Sequence, residues 1–297
     1  MSLDATHQHD GHPPDIVVLD SITHLDASHQ GSVAIAASHG GGYTAKVAIS
    51  VGLRGLIASD AGVGRDQAGI AVLVLADDVG LAAATLDYRS SRIGQGKDCA
   101  EHGIVSFVND AARRLDCAPG DTAYDTARRM MHATAVAPQQ VSLAEARFAI
   151  TDPKAPIPVW GIDSASLAVE TDRGAILVTG SHGALLGDRP ETALKADAYA
   201  AVFNDAGAGP DGRGRSRLAA LDDRQIAAVT VSAHSAVIGS AASSYADGVI
   251  SHVNRRATAY GAVVGMPAKT FIDLLLNAAA VRSPMKPTTA DLDGNVL

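Results

Sequence analysis

Short apolar runs, each ended by a polar or glycine-rich turn, recur along the whole chain. Runs that are apolar at nearly every position are typical of strands covered on both faces of a parallel sheet. In the first half they read DIVVLD, SVAIAAS, LRGLIAS and GLAAATLD, and in the second half AILVTGS, YAAVFND and IAAVTVS. The hydrophobic pattern therefore predicts a series of buried strands in each half.

Segments of helical length separate these strands. YTAKVAISVG and AGIAVLVLADDVG each end at a glycine suited to a helix C-cap, and GIVSFVNDAARRLD has apolar residues at helical spacing. Strands and helices that alternate at this interval favour a parallel sheet with right-handed crossovers. The predicted fold class is α/β.

An internal repeat is the strongest signal in the sequence. The Asp-Ser pair at 20–21 recurs at 163–164, an offset of 143 that also relates His39 to His182. After a two-residue insertion the offset becomes 145, and about 19 of 50 positions are identical between 60–109 and 205–254 without a gap. Such self-similarity indicates two copies of one structural unit.

The repeat determines the predicted domain organisation. The first α/β repeat spans 16–134 and the second spans 159–283, and a proline-containing connection at 135–158 joins them. Two like units in one chain are expected to pack about a pseudo-twofold axis, which predicts a tandem duplication packed as an intramolecular pseudodimer. The polar segments 1–15 and 284–297 are predicted to be flexible tails.

Composition narrows the class of protein. A chain of 297 residues with 47% hydrophobic content can bury a large core, and its net charge of −8 with 4% aromatic residues argues against nucleic acid as a partner. Cys99 and Cys117 lack the spacing of a zinc site or a disulfide framework. With no apolar stretch of membrane-spanning length and no secretory signal pattern, we expect a cytoplasmic protein that does not bind membranes. Homo-oligomerisation stays open.

Polar residues repeated after the strands mark the candidate site, because ligands of parallel α/β sheets bind at the carboxyl ends of strands. The SHG turns, at 38–40 and 181–183, combine glycines that let a ligand approach the backbone with a histidine able to transfer a proton near neutral pH. A turn that only needs positive φ would not need an imidazole. The two SHG histidines are therefore candidate acid–base groups.

The DAGxGxD loops at 60–66 and 205–211 supply further candidates. Their first aspartate could orient a histidine or bind a divalent cation. A serine after the next strand could be a nucleophile activated by that histidine, and Ser38 and Ser181 compete for the same role. The second aspartate is as readily a helix N-cap, and the Asp-Ser and Gly-rich turns have purely conformational explanations. The predicted catalytic residues are His39, Asp60, Ser90, His182, Asp205 and Ser235.

Substrate-binding candidates complete the predicted site. Arg89, Arg92, Arg189 and Arg213 could each hold a carboxylate, although each could equally be a solvated surface charge. The predicted substrate-binding residues are Ser38, Gly40, Gly41, Arg92, Ser181, Gly183 and Asn204. No phosphate-binding or dinucleotide motif is present, so no cofactor is predicted, and the spacing of the carboxylates is not diagnostic of a metal.

The sequence leaves two main functions open, with a structural assembly protein as a further alternative. The first is an enzyme, of hydrolase or lyase type, that acts on a small polar and anionic metabolite by His-assisted acid–base or hydrolytic chemistry. The second is a non-catalytic sensor or carrier that binds a small anion in the glycine-rich turns. The first half keeps the more open turn, SHGGG against SHGAL, so His39 is the histidine expected to do the chemistry.

Overall fold

Two parallel-dominated sheets with covering helices form the protein, so the α/β class is confirmed. The computed structural model describes residues 15–282, and the side chains up to residue 280. The predicted tails at 1–15 and 284–297 lie almost entirely outside the described residues. The strands of the first sheet are β1 (Ile16–Leu19), β2 (Val33–His39), β3 (Gly55–Ser59), β4 (Ala82–Leu86) and β5 (Val105–Val108). Those of the second are β6 (Arg147–Ala149), β7 (Val159–Ile162), β8 (Ile176–His182), β9 (Ala200–Asn204), β10 (Ala227–Val231) and β11 (Ile250–Val253).

Strand order is sequential in both sheets. The first sheet runs β1-β2-β3-β4-β5 and the second β11-β10-β9-β8-β7-β6. Strands β1 to β4 are parallel and so are β7 to β10, whereas β5, β6 and β11 pair antiparallel at the edges. The carboxyl ends of four neighbouring strands therefore meet along one edge of each sheet.

Helices cover the sheets through small and branched apolar side chains. The described helices are α1 (Gly42–Val51), α2 (Val72–Asp77), α3 (Gly96–His102), α4 (Asp110–Arg113), α5 (Ala123–Met130), α6 (Arg217–Asp223), α7 (Ala241–Ala246), α8 (Arg255–Ala259) and α9 (Ala268–Arg282). The central strands beneath them are almost wholly buried, as the unbroken apolar runs predict; these strands are β2, β3, β4, β8, β9 and β10. Within residues 15–282, no helix combines the length and the apolar character needed to cross a membrane.

The prediction of a helix at 103–116 is wrong. The segment forms β5 followed by the short helix α4, which begins at the N-cap Asn109. Its short apolar run fits both the 3.6-residue period of a helix and the two-residue period of a strand. Its β-branched residues favour the strand. The equivalent segment of the second half likewise forms β11 and α8, with Asn254 as N-cap.

The DAGxGxD loops adopt an unusual left-handed backbone in both halves. Ala61 to Gly64 all have positive φ, and so do Ala206 to Gly209, although an L-residue in this region costs about 1–2 kcal/mol. Asp66 and Asp211 are also left-handed, so neither caps the following helix, whose N-caps are Ala71 and Ser216. Such a backbone persists only where its surroundings hold it.

The two halves meet through these loops. A Cβ atom at Gly62 would lie 3.1 Å from the Cα atom of Gly207, so the loops cross in close backbone contact. Around them a small apolar cluster draws on both halves, and its buried members are Ala61, Ile93, Ala184, Ala206 and Ile238. Backbone hydrogen bonds also join the halves, from Arg65 N to the Ala233 carbonyl at 2.8 Å and from Gly187 N to the Gly94 carbonyl at 2.8 Å.

The predicted connection at 135–158 contributes to the fold. It supplies β6, which pairs antiparallel with β7 and makes the second sheet one strand wider than the first. Val136 and Val141 pack against the core beneath α1, and the Lys46 ammonium donates to the Leu143 carbonyl at 2.5 Å. The connection therefore passes along the first half before it enters the second sheet.

Candidate functional site

A cleft of about 440 Å³ opens between the two halves at the carboxyl ends of β2 and β8. Both SHG histidines line it, one from each half, together with Ser38 and Ser181. The register explains their position, because His39 pairs with Ser59 of β3 and His182 pairs with Asn204 of β9 after a shift in each strand. The structure thus brings together the two histidines that the repeat relates.

The serines before the histidines make equivalent contacts. Ser38 Oγ accepts a hydrogen bond from Ile22 N at 2.9 Å, and Ser181 Oγ accepts one from Ala165 N at 2.8 Å. Each hydroxyl keeps its own proton for a further acceptor. The serines therefore hold the short 3₁₀ turns at 22–24 and 165–167 against the cleft, and they can still donate a hydrogen bond into it.

His39 is a neutral and poorly tethered imidazole. Its Nδ1 atom is buried and has no hydrogen-bond partner among the described residues. Burial lowers the pKa of His39 to about 4, so the ring is uncharged at neutral pH. The ring lies over Gly41, where a Cβ atom would be 2.5 Å from Cε1 and 2.6 Å from Nδ1. Any side chain at position 41 would clash with the His39 ring in this conformation, so the position requires glycine.

His182 is held more firmly. Its Nδ1 atom accepts a hydrogen bond from Ala184 N at 3.3 Å, which favours the tautomer protonated on Nε2. Burial lowers the pKa of His182 well below its usual value, and the positive charge of Arg217 and the nearby His39 lower it further. Arg217 N donates to the Gly183 carbonyl at 2.8 Å, which places this residue beside the second SHG turn.

Arg217 is a buried cation in the lining of the cleft, and sequence reasoning missed it. The residue is 5% exposed, and its guanidinium packs over the Phe203 ring, 5.2 Å from the centroid. Nε donates to the Ala184 carbonyl at 2.8 Å and Nη1 to the Ala193 carbonyl at 2.5 Å. Among the described residues no carboxylate pairs with it.

A signal for Arg217 exists in the repeat. At the offset of 145 its counterpart is Val72, a fully buried valine. The backbone is equivalent at the two positions, since Val72 N donates to the Gly40 carbonyl and Arg217 N to the Gly183 carbonyl, both at 2.8 Å. An arginine that replaces a core valine in one copy of a repeat is a candidate binding residue.

Glu145 is a second residue that sequence reasoning missed. It comes from the connection, lines the cleft and is half-buried. Burial raises the pKa of Glu145 to about 7, and the negative charge of Asp163 adds to that effect. Burial and the charge of Glu145 also raise the pKa of Tyr43, so these two side chains lie close together. A carboxyl group with this pKa exchanges protons near neutral pH.

The backbone donors of the two turns differ. Helix α1 begins directly after the first SHG turn, and no described side chain caps its N-terminus. In the second half no helix follows the turn, and side chains accept from the equivalent N–H groups: Leu185 N donates to Ser216 Oγ at 2.9 Å and Leu186 N to Thr192 Oγ1 at 2.9 Å. Within the described chain, only the first of the two SHG turns leads directly into a helix, and the first residues of α1 line the cleft.

The predicted aspartates do not reach the cleft. Asp60 Oδ1 accepts from Gly62 N and from Tyr88 N, both at 3.0 Å, and Asp205 Oδ1 accepts from Gly207 N and Ala233 N at 3.0 and 2.9 Å. These bonds tie the left-handed loops to the neighbouring strand ends. Burial raises the pKa of Asp60, and no hydrogen bond joins either carboxylate to an SHG histidine in the described chain.

The hydroxyl groups of the predicted serine nucleophiles are likewise hydrogen-bonded to the backbone. Ser90 Oγ donates to the Asp87 carbonyl at 2.7 Å and accepts from Ile104 N at 2.9 Å. Ser235 Oγ donates to the Ser232 carbonyl at 2.8 Å and accepts from Val249 N at 2.9 Å. Neither serine lines the cleft. The structure therefore assembles no triad of serine, histidine and aspartate from these residues.

The remaining predicted binding residues divide between cleft and scaffold. Gly40 and Gly183 are pressed against the carbonyls of Gly69 and Gly214, where a Cβ atom would lie at 2.5 and 2.6 Å. Buried Asn204 donates to the Ala236 carbonyl and accepts from Ala206 N. The arginines considered for a carboxylate lie outside the cleft lining, and all contact protein groups: Arg89 binds Asp87, Arg92 binds Asp98 and Asp211, Arg189 donates to the Leu186 carbonyl, and Arg213 pairs with Asp188.

Residues 15–282 contain no group of three histidine, cysteine, aspartate or glutamate side chains arranged to hold a metal ion. Comparison of the chain with models of protein families, with curated proteins and with solved structures gives no match. The functional argument therefore depends on the geometry and chemistry of the cleft.

Proposed function

We propose that the protein is an enzyme that acts on a small polar, anionic metabolite in the cleft between the halves, by acid–base chemistry at His39. The observation that carries the proposal is the convergence in one cleft of two histidines that are neutral at physiological pH and an arginine without a carboxylate partner. Neutral imidazole accepts a proton, and a buried cation attracts an anion into the same space.

The division of labour follows from the contacts. His39 removes a proton from the substrate, because its ring nitrogens are free of protein hydrogen bonds in the described residues. Negative charge that develops beside it is stabilised by the uncapped N-terminus of α1. Glu145, whose pKa is raised to about 7 and which lines the same cleft, returns a proton. Since Ser90 and Asp60 are engaged elsewhere, proton transfer of lyase or isomerase type is favoured over attack by a serine.

A ligand screen followed by kinetics tests this function. Small carboxylic acids and their derivatives are added to the purified protein, and those that raise the melting temperature are assayed for turnover by NMR. We expect at least one to be converted, and His39→Gln to lower the rate of conversion by about 10²-fold or more without loss of fold. His132→Gln is the matched control, because that histidine is exposed and outside the cleft. Conversion by His39→Gln at the wild-type rate would contradict the proposal.

A non-catalytic anion sensor is the second candidate. One observation favours it: no described carboxylate orients His39, whereas a general base in most enzymes has such a partner. Tight binding of an anion with no turnover in the same screen would support the sensor. The two functions are therefore separated by one experiment.

We further infer a tandem duplication packed as an intramolecular pseudodimer. The shared strand order, the paired left-handed loops and the equivalent hydrogen bonds of Asp60 and Asp205 support this inference. The contact between Gly62 and Gly207 is the one expected of a residue and its own counterpart at a twofold axis. A crystal structure in which 16–134 and 159–279 could not be superposed by a single rotation would refute it.

A further inference from the structure

We propose that Arg217 is the anchor for a single carboxylate group of the substrate, and that this anchor orients the substrate with its reacting carbon toward His39. This inference rests on the proposed function and names the class of substrate and its direction in the cleft. It depends on three observations: the burial of Arg217, its free hydrogen-bond donors and its position relative to the two histidines.

Burial without a counter-ion is the first observation. A charged side chain removed from water is costly unless it is paired, yet Arg217 is 5% exposed and bonds only to carbonyl groups among the described residues. Desolvation lowers its pKa to about 10, so the guanidinium remains charged at neutral pH. An anionic ligand would supply the missing partner.

The donor geometry is the second observation. A guanidinium has five N–H donors, of which Nε uses one and Nη1 uses one on the carbonyls of Ala184 and Ala193. Nη2 donates to no described residue, and Arg217 lines the cleft, so this nitrogen is available to a ligand. The two hydrogen bonds to carbonyls and the Phe203 ring fix the plane of the Arg217 guanidinium. A guanidinium with a fixed plane is preorganised to bind a planar carboxylate.

The charges around the cleft favour a monoanion. Arg217 and Lys195 line it, and so do Glu145 and Glu191. Lys195 and Glu191 are exposed, so water screens their charges, and the Lys195 ammonium donates to the Ser166 carbonyl at 2.8 Å. Arg217 is the buried cation of the cleft lining, and a carboxylate matches its single charge, whereas a doubly charged phosphate exceeds it.

Position gives the direction of the substrate. Arg217 lies beside the second SHG turn, because its backbone N–H donates to the Gly183 carbonyl and its Nε to the Ala184 carbonyl, both at 2.8 Å. His39 lines the same cleft from the first half, so a carboxylate held by Nη2 extends from the second half toward His39 and the N-terminus of α1. His182, whose Nδ1 is occupied by Ala184 N, is left with Nε2 as a donor to the middle of the substrate.

Binding of propionate to the wild-type protein gives the first test. Propionate, its neutral isostere propionamide and inorganic phosphate are titrated separately, with saturation-transfer NMR and the melting temperature as readouts. We expect propionate to bind and to raise the melting temperature, and propionamide to bind about 10- to 100-fold more weakly, as expected for loss of charge-assisted hydrogen bonds. Equal affinity for propionate and propionamide, absence of propionate binding, or stronger binding of phosphate would each overturn the proposal.

Substitutions at Arg217 give the second test. Arg217→Met should weaken propionate binding about 10- to 100-fold, and Arg217→Lys should recover part of the loss because it keeps the charge without the planar fork. Arg217→Val is the variant most compatible with folding, since Val72 occupies the equivalent position. Propionate affinity that stays unchanged in the folded variants would overturn the proposal.

Arg224→Met is the matched control. Arg224 also donates to carbonyls of this loop, those of Leu194 and Ala196 at 2.8 and 2.9 Å, but it lies outside the cleft. A purely structural role for Arg217 would make both variants alike, with lower stability and unchanged propionate binding. The proposal requires that only the Arg217 variants lose affinity for propionate.

The outcomes separate this inference from the proposed function. If propionate binds through Arg217 and no compound in the screen is converted, the anchor stands and the enzyme proposal fails. If a substrate is converted and Arg217→Met leaves its KM unchanged, the enzyme stands and the anchor fails. When both hold, Arg217→Met raises KM more than it lowers kcat, and His39→Gln lowers kcat.

Discussion

The two SHG turns begin with the same residues and end in different environments. In the first, Gly41 leaves room for the His39 ring, the next residues start α1, and Val72 fills the core behind them. In the second, Ala184 binds the imidazole nitrogen, side chains take the backbone donors, and Arg217 replaces the valine.

This difference assigns separate tasks to the two halves. The first half presents a free imidazole and the positive end of a helix, and the second presents a fixed imidazole and a buried cation. Residues that are identical in both halves mostly hold the backbone. Asn109 and Asn254, for example, each accept from one N–H group of an earlier strand, β4 or β10, and from one N–H group of the helix that follows. Function in this chain is expected where the halves differ.

Substitution of each SHG histidine by glutamine gives the strongest test of the difference between the two turns. We expect His39→Gln to lower kcat for an identified substrate roughly 10²- to 10⁴-fold, the range for loss of a general acid or base, and His182→Gln to cost less than the lower end of that range. Circular dichroism checks that both variants fold. A larger loss of kcat in His182→Gln would reverse the assignment.

The pH dependence of stability tests whether His39 is neutral in the native state. Its pKa is lowered from 6.5 to about 4. Between pH 6.5 and pH 4 this imidazole is therefore mostly protonated in the unfolded chain and mostly neutral in the native protein. Stability is therefore retained above pH 6.5 and falls as the pH drops toward 4, by about 3 kcal/mol. Glu145, with its pKa raised from 4.5 to about 7, acts in the opposite direction, since its contribution is lost as the pH rises through 7.

Denaturant unfolding of the wild type and of His39→Gln at pH 4, 5.5 and 7 separates these effects. The difference in the free energy of unfolding between the two proteins should change by about 3 kcal/mol over this range, since Glu145 is common to both. A constant difference would mean that His39 titrates normally and is solvated.

Exchange of the residues after the histidines sharpens the comparison of the turns. Gly41→Ala places a methyl group 2.5 Å from His39 Cε1, so the ring must rotate away, and we expect a loss of kcat of up to about 10²-fold. Ala184→Gly is the matched change in the second half, and we expect it to leave kcat nearly unchanged. Equal effects on kcat would show that the two turns do not differ in function.

Substitutions at equivalent positions of the two DAGxGxD loops should have equal effects on stability, in contrast to substitutions in the two SHG turns. A Cβ atom on Gly69 would lie 2.0 Å from the Asp60 carbonyl oxygen, and one on Gly214 would lie 1.9 Å from that of Asp205. We expect Gly69→Ala and Gly214→Ala to lower the free energy of unfolding by similar amounts, about 1–3 kcal/mol each. Gly80→Ala, with positive φ and open space, should cost about 1 kcal/mol. Clearly unequal losses at 69 and 214 would argue against equivalent loops.

Much of the fold could be predicted because its signals are local. Apolar runs covered on both faces identify the central strands, and glycines such as Gly52, which caps α1 with φ of 81°, mark the ends of helices. The edge strand β5 was mistaken for a helix, because four residues cannot distinguish one period from the other and its partner β4 is distant in sequence.

The sequence by itself determined the two sets of strands, the repeated loops and the location of the histidines at strand ends, since these follow from patterns within a few residues. Only the tertiary structure decided which polar side chains share the cleft. Arg213, Arg215 and Arg217 look alike along the chain, yet only Arg217 is fully buried, because it begins α6 and turns toward Phe203 of β9. Glu145 reaches His39's cleft only because the connection passes over α1. Burial and proximity are properties of packed elements, so no local pattern marks Glu145 as part of the site, and Arg217 stands out only when the two halves are aligned and its counterpart Val72 proves to be a core residue.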